Sequence, residues 1–143
     1  MSTSISKKSI HHDCGQELRT FGLRATPARK AILRLLEKAK TPLGVNTLIQ
    51  HLGKQSLKID PATVFRIMNH SSRKGIVTPV HLGANTTRYE LANQHHHHHL
   101  VCEGCGTIED ITECLLPQIE KNIHLQKHFL IKRHSLEFYG LCK

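Results

Sequence analysis

Two segments of the sequence begin with the same pair of helix-start signals, and these signals constrain the fold more than any other feature. Thr26-Pro27 and Asp60-Pro61 each place a capping oxygen directly before a proline, and this pairing favours the first turn of an α-helix. Apolar residues recur at helical spacing after both signals, and again over residues 45–52. The sequence therefore predicts three consecutive amphipathic helices, preceded by a short helix that Asp13 caps.

A hairpin is predicted after the third helix. Residues 76–91 contain two short β-type segments around a Gly-Ala-Asn turn. Three helices followed by a hairpin is the order of a winged helix-turn-helix domain. The outer face of the third helix is polar and basic, which favours a DNA-binding winged helix over a three-helix bundle without DNA. We therefore predict a winged-helix DNA-binding domain over residues 1–91, in which residues 1–12 have no periodicity and form a flexible tail.

The rest of the chain predicts a second, smaller domain. Residues 92–94 form a polar linker, and strands are predicted on both sides of a Cys-Glu-Gly-Cys turn. A helix follows, and then an alternating strand over residues 129–142. The overall fold class is thus α+β, with a small α+β domain over residues 95–143. A domain of this size has little room for a core, so we expect metal, dimerisation or both to stabilise it.

The two parts of the chain differ sharply in charge. Residues 1–91 have 15 basic and 5 acidic side chains, whereas residues 92–143 have 5 basic and 6 acidic ones. A basic part beside a nearly neutral part indicates that the first part binds a polyanion. Aromatic residues make up only 4% and Trp is absent, which argues against an aromatic-lined pocket for a small-molecule substrate.

Cysteines concentrate in the second part. Four of the five cysteines follow Leu91. No apolar run reaches the roughly 18–20 residues of a membrane span, and the N-terminus lacks the apolar region of a secretory signal. We therefore expect a cytoplasmic protein, where clustered cysteines bind metal more often than they form disulfides.

The Cys102-x-x-Cys105 pair predicts half of a structural zinc site. Two thiolates at this spacing reach one tetrahedral ion, and the neighbouring glycines let the backbone bend around it. A redox pair would normally open a helix, whereas this pair lies between predicted strands. Cys142 is the expected third ligand. The fourth ligand stays open, because a second Cys-x-x-Cys motif would need a cysteine two residues beyond Lys143, the last residue of the sequence given.

Five consecutive histidines, residues 95–99, run directly into this predicted strand. An affinity tag would be terminal, so we interpret the run as part of the fold. Alternate residues of a strand face opposite sides, which places His97 and His99 on one side and His96 and His98 on the other. The run therefore predicts two metal sites, although a solvated histidine-rich linker is an alternative. Imidazoles with carboxylates suit Zn²⁺, Fe²⁺, Mn²⁺ or Ni²⁺.

Four sequence blocks, taken together, resemble the ferric uptake regulator (Fur) family of bacterial metal-sensing repressors. The blocks are GLRATPAR, DPATVFRIMNH, RYELANQHHHHHLVCEGCG and HSLEFYGLC, in the order and at the spacing of that family. The resemblance implies a winged helix followed by a dimerisation domain. It also implies a homodimer that represses metal-homeostasis genes by binding palindromic double-stranded DNA operators when its regulatory metal is bound.

The resemblance assigns residues to three metal sites and a DNA interface. The implied structural zinc ligands are Cys102, Cys105 and Cys142, and the implied regulatory ligands are Glu90, His97, His99 and Asp110. The implied second site contains His96, His98 and His134. The resemblance implies that Arg24 and Arg66 contact DNA. Base reading is further expected of Thr63 and Asn69 on the third helix, with a local capping role as the alternative for Thr63 and a solvated surface position as the alternative for Asn69. The regulatory metal is expected to be Fe²⁺ or Zn²⁺, with Mn²⁺ as a further possibility.

The chain departs from the family pattern at several positions. Pro42 stands where the regulatory site often takes a further histidine, and Pro117 stands at the acidic ligand of the second site. Glu113 and Glu120 are alternatives for that ligand. Phe65 replaces a usual tyrosine on the third helix but keeps a ring that can contact a thymine methyl group. Cys14 and Cys114 are interpreted as thiols without a metal role, with an adventitious metal ligand as the alternative for Cys114.

Three other functions are weighed against the repressor. An iron-dependent peroxide sensor of the same fold would need a similar ligand set, so the sequence leaves it open. A zinc or metal storage protein would not need the basic third helix. A metalloenzyme would need an open zinc position and a general base, and no HExxH or similar signature is present. We therefore predict a regulator that is not an enzyme, with no membrane partner.

Overall fold

The computed structural model describes residues 13–83, 86–94 and 96–143, and contains helices and strands in the predicted order. The predicted tail over residues 1–12 and the Ala-Asn part of the predicted turn lie outside the described residues. The helices are α1 (Cys14–Thr20), α2 (Pro27–Lys38), α3 (Val45–Lys54), α4 (Pro61–Arg73) and α5 (Leu116–Lys127). The strands are β1 (Leu43–Gly44), β2 (Val77–His81), β3 (Thr87–Leu91), β4 (His98–Cys102), β5 (Ile108–Ile111) and β6 (Glu137–Gly140).

The predicted helix caps are present. The Asp13 carboxylate accepts the Gly15 N–H at 2.9 Å, and the Thr26 hydroxyl accepts a backbone N–H at 3.3 Å. The Asp60 carboxylate accepts the Thr63 N–H at 2.9 Å. Each cap satisfies a backbone donor that the first helical turn leaves without a partner, so these three side chains fix where α1, α2 and α4 begin.

The four N-terminal helices pack around one aliphatic core. Leu18, Ile32, Leu48 and Met68, one from each helix, are almost completely buried. The sheet β1-β3-β2 closes this core, with β3 antiparallel to both neighbours. The short β1 before α3 was not predicted. This helix order with a hairpin confirms the predicted winged helix.

The second sheet has the order β5-β4-β6, in which β4 runs antiparallel to β5 and parallel to β6. The prediction of a long strand over residues 129–142 was wrong, because only Glu137–Gly140 pairs with β4. His128 adopts a left-handed conformation, with φ of 51°, at the end of α5. After this residue the chain crosses from the helix back to the sheet. The residues before Glu137 alternate between apolar and polar, but they have no neighbouring strand to pair with and so do not form a strand.

The residues after Leu91 have almost no apolar core. Among the described residues of this part, the buried ones are His98, His99 and Cys102, and α5 buries none of its residues. Large apolar side chains are exposed on α5, on β4 and along the C-terminal segment: Leu100, Leu115, Ile119, Leu125, Phe129, Leu130, Phe138, Tyr139 and Leu141. The residues that fill the interior of this part are therefore imidazoles and a thiol.

One side chain links the two sheets directly. The Tyr139 hydroxyl on β6 accepts the Gly83 N–H at 3.2 Å and lies 3.5 Å from the His81 carbonyl oxygen. Both partners lie at the end of β2, so this tyrosine holds the hairpin against the second sheet. No helix in the described part of the chain is long and apolar enough to cross a membrane.

Candidate metal centres and DNA-binding surface

Three clusters of possible metal ligands lie in or beside the second sheet. The ligand atoms within each cluster lie within 4.8 Å of one another. The clusters are Glu90, His97 and His99; His96, His98, Cys114 and His134; and Cys102, Cys105 and Cys142. The histidine run divides between the first two clusters as the alternation predicts, because successive residues that enter β4 face opposite sides of the sheet.

The first cluster joins the two halves of the chain. Glu90 lies on β3, and its Oε2 is 3.1 Å from His97 Nε2 and 3.3 Å from His99 Nε2. Burial opposes ionisation of this carboxyl group, but the imidazoles of His99 and His97 hold the pKa of Glu90 below its usual value. Asp110 stands opposite His99 on β5, with its Oδ1 3.8 Å from His99 Nε2. The arrangement offers one partly buried carboxylate, two imidazoles and an exposed carboxylate at the edge.

Pro42 stands where the family often has a further histidine ligand, and it supplies none to this cluster. Pro42 is fully buried in the N-terminal part, and a proline side chain has no donor or acceptor atom to offer.

The second cluster contains a thiol that the sequence interpretation left without a metal role. Cys114 Sγ lies 4.0 Å from His134 Nε2, and this nitrogen is 3.0 Å from His96 Nε2. His134 Nδ1 lies 2.6 Å from Glu120 Oε1. Glu120 is therefore the acidic group that reaches this site, but it contacts the outer nitrogen of His134. The Glu113 alternative is exposed and absent from the cluster.

The third cluster holds three free thiols. Cys105 Sγ and Cys142 Sγ are 3.5 Å apart, close to the roughly 3.8 Å that tetrahedral zinc bonds of about 2.3 Å require. The backbone N–H groups of Cys142 and Cys105 point at the Cys102 sulfur and lower the pKa of its thiol to about 6. The neighbouring Cys102 and Cys105 thiols raise the pKa of Cys142 to about 11. Three thiolates can coexist here when a cation neutralises them.

Buried ring nitrogens support metal binding at the two histidine clusters. Within the described part of the chain, the buried His98 Nε2 has no hydrogen-bond partner, and the buried His99 Nε2 faces the carboxylates of Glu90 and Asp110. Burial and the neighbouring His96 and His134 lower the pKa of His98, so that this ring is neutral near pH 7. A buried nitrogen without a partner is costly, and a neutral imidazole is the form that binds a metal ion. The donor sets thus fit metal ions.

Three of the four predicted DNA-binding residues lie on α4, and Arg24 lies before α2. Arg66 and Asn69 are exposed on α4, as is Phe65, while Arg24 is exposed before α2. The Thr63 hydroxyl donates to the Asp60 carboxylate and accepts from Arg66 Nη2 at 3.3 Å. Thr63 therefore takes part in the local cap and positions the Arg66 guanidinium.

A basic winged helix joined to a metal-binding half defines the class of metal-responsive DNA-binding regulators. The model of the Ferric uptake regulator family matches residues 20–139. The peroxide-responsive repressor PerR of Staphylococcus aureus is 33% identical over 143 residues, which cover 98% of this chain and 96% of that protein. The Vibrio cholerae ferric uptake regulator structure superposes with a TM-score of 0.80 at 34% identity, covering 91% of this chain and 100% of that one.

A third similar protein was solved with a metal. The ferric uptake regulator of Francisella tularensis, solved with iron, superposes with a TM-score of 0.75 at 30% identity, covering 86% of this chain and 94% of that one. These findings confirm the resemblance seen in the sequence. The chain belongs to the ferric uptake regulator family and is a metal-dependent transcriptional repressor.

Proposed function

We propose that this chain acts as a homodimer that binds palindromic operators of metal-homeostasis genes when a metal ion occupies the Glu90 cluster. One observation carries the proposal. Glu90 ends the winged-helix sheet, His97 and His99 begin the second sheet, and their ligand atoms lie within 4.8 Å of one another. Residues that bind one ion from both sides of the Ala92–Gln94 linker fix the angle between the two halves.

Fixing this angle in a dimer sets the spacing of the two α4 helices. Half-sites of a palindrome lie about 34–36 Å apart, one turn of DNA, so that an incorrect angle prevents simultaneous contact. Metal binding would therefore select the DNA-competent arrangement, and DNA would tighten metal binding in return.

The ligands of the Glu90 cluster suit a few divalent metals. Imidazoles and carboxylates suit Fe²⁺, Mn²⁺ and Zn²⁺, and the related Francisella tularensis regulator was solved with iron. We propose Fe²⁺ or Zn²⁺ at Glu90, His97, His99 and Asp110, and a structural Zn²⁺ at Cys102, Cys105 and Cys142. The His96, His98 and His134 cluster forms a second site.

The proposed DNA contacts divide into positioning and base-reading contacts. The basic charge of residues 1–91 supplies contacts to phosphates, which add affinity without reading sequence. Arg66 and Asn69 are exposed on α4 and are proposed to contact base edges. The Thr63 hydroxyl accepts a hydrogen bond from Arg66 and so positions its guanidinium. Arg24 is exposed in the segment before α2 and is proposed to reach the minor groove.

The proposed dimer interface is the exposed apolar surface of the second half. The register partners Leu100 and Phe138 are exposed on the sheet, and Ile119 and Leu125 are exposed on α5. Contiguous apolar surface of this kind marks an interaction site. An intracellular regulator of this type has DNA and a second copy of itself as partners, and we propose the cytoplasm as its location.

The test is selection of operators from a randomised duplex pool. The full chain, with zinc at its cysteines, would be mixed with the pool anaerobically, without and with Fe²⁺, Mn²⁺ or Zn²⁺. We expect one metal to enrich a palindrome, His97→Ala to abolish the enrichment, and His124→Ala, on the exposed side of α5, to retain it. A pool that no metal changes would contradict the proposal.

A peroxide sensor is the second candidate, because the Staphylococcus aureus relative is a peroxide-responsive repressor. Hydrogen peroxide would then be the oxidant: its O–O bond would break, one oxygen atom would be added to a ring carbon of His97 or His99, and the other would leave as water. The same selection, repeated with iron-loaded protein after peroxide treatment, separates the two functions. Loss of enrichment together with a one-oxygen mass increase on either histidine would favour the sensor, and unchanged enrichment would favour metal sensing alone.

A further inference from the structure

We propose that Cys114 is the fourth ligand of the second cluster and makes it a zinc site with three imidazoles and one thiolate. The ligand atoms of His96, His98, Cys114 and His134 lie within 4.8 Å of one another. This inference rests on the part of the proposed function that assigns a metal to the second site. It adds the chemical identity of the fourth ligand and the class of metal.

The distances fit a tetrahedral ion. With zinc bonds of about 2.1 Å to nitrogen and 2.3 Å to sulfur, tetrahedral geometry places nitrogen and sulfur ligands about 3.6 Å apart and two nitrogen ligands about 3.4 Å apart. The Cys114 Sγ to His134 Nε2 distance is 4.0 Å, and the His134 Nε2 to His96 Nε2 distance is 3.0 Å. The two distances lie on either side of the ideal values, within reach of small side-chain rotations.

The surroundings orient these side chains toward one point. Glu120 Oε1 lies 2.6 Å from His134 Nδ1 and so holds the proton on that nitrogen, which leaves His134 Nε2 as an acceptor facing Cys114. This carboxylate–histidine pairing is the usual support of a histidine that binds metal. His98 is only 3% exposed, and its Nε2 has no hydrogen-bond partner among the described residues. The buried ring thus lacks a partner that a metal ion would supply.

The thiolate decides which metals this site prefers. Soft sulfur ligands favour Zn²⁺ and Co²⁺ over Mn²⁺ and Fe²⁺, whereas the carboxylate-containing Glu90 cluster offers harder donors. Binding replaces the thiol proton of Cys114 with the ion, and the proton passes to solvent. The two histidine clusters would therefore sort metals, with zinc held at Cys114 and the sensed metal at Glu90.

Cobalt spectroscopy tests this assignment on the full chain. One equivalent of Zn²⁺ would first fill the three-cysteine site, and Co²⁺ would then be added anaerobically. Because zinc binds such ligands more tightly than cobalt, cobalt goes to the remaining sites. We expect a sulfur-to-cobalt charge-transfer band in the near ultraviolet, and Cys114→Ser should remove it and weaken cobalt binding by about tenfold or more.

Two controls keep the result interpretable. Cys14→Ala changes a thiol in the buried core of α1 and should keep the band, while the zinc content of Cys114→Ser reports whether the three-cysteine site still folds. A band that persists in Cys114→Ser, or a wild-type protein that binds this cobalt without a band, would overturn the assignment. The DNA selection with His97→Ala reports on the Glu90 cluster alone, so failure of the proposed function and failure of this inference give different results.

Discussion

Glu90→Gln is the substitution that most directly separates metal sensing from folding. The change keeps the size of the side chain and its hydrogen-bonding capacity, but it removes the negative charge beside His97 and His99. Glu90 Oε2 lies 3.1 Å and 3.3 Å from the two ring nitrogens and comes from the other sheet. We therefore expect the variant to fold, to keep zinc at its cysteines, and to lose most of its metal response.

The expected loss of metal affinity follows from the role of Glu90 in the ligand set. Removing even a supporting group of a metal site costs about 10–100-fold in affinity, and Glu90 is a direct ligand in this proposal. At a metal concentration equal to the wild-type dissociation constant, a tenfold loss lowers occupancy from one half to about one tenth. Binding at one site usually changes affinity at a coupled site by about 5–150-fold. We expect metal to raise DNA affinity within this range, and the rise should shrink as the occupancy of the metal site falls.

The assay is fluorescence anisotropy with a selected operator at fixed salt, since salt strongly changes affinity for DNA. Mn²⁺ would be titrated into zinc-loaded protein, because manganese prefers carboxylates and imidazoles to thiolates. Glu109→Gln is the matched control: it neutralises an exposed carboxylate on β5 next to Asp110, outside the three clusters. A manganese midpoint that is the same in Glu90→Gln and wild type would refute the assignment of Glu90 as the link between the halves.

Three further outcomes are expected. Leu48→Ala should lower the free energy of unfolding by about 2–5 kcal/mol in chemical denaturation, because Leu48 is fully buried; a change near zero would contradict the packing. Hydrogen bonds from the side chain and backbone of Thr63 lower the pKa of Asp60, so its stabilising effect is present above the unfolded pKa of about 3.9 and is lost as pH falls through the folded pKa. Asp60→Asn keeps the cap without titrating, so its melting temperature should fall less below pH 4 than that of wild type, and equal profiles would argue against the cap. Tyr139→Phe removes the bond to Gly83 and should weaken manganese binding at the Glu90 cluster by about two- to tenfold, measured by the same titration; unchanged affinity would show that the hairpin needs no such anchor.

The winged helix could be predicted in detail because its signals are local. Asp13, Thr26 and Asp60 each contact a backbone donor two or three residues away, and the helical periodicity follows directly. The division of the histidine run was also predictable, since alternation along β4 depends on neighbouring residues alone. Resemblance to the family then supplied Glu90 and Asp110, which no local pattern connects to the histidines.

The second cluster could not be completed from the sequence. Cys114 and His134 are 20 residues apart, and His96 and His134 are 38 apart. The family pattern directs attention to Pro117, whereas the fold brings a thiol from before α5 and turns Glu120 toward the outer nitrogen of His134. The long strand predicted over residues 129–142 failed for a related reason, because a strand is defined by its neighbour and this segment instead crosses from α5 to the sheet.

In the second half of the chain, candidate metal ligands occupy the interior positions that aliphatic side chains fill in other small domains. Its buried residues in the described part are His98, His99 and Cys102, one from each cluster of candidate ligands. A small domain without an apolar interior gains its stability from metal binding and from a partner. In the proposed function, binding free energy at these clusters would also be folding free energy, so that metal supply would control both the order of this half and its connection to the winged helix through Glu90.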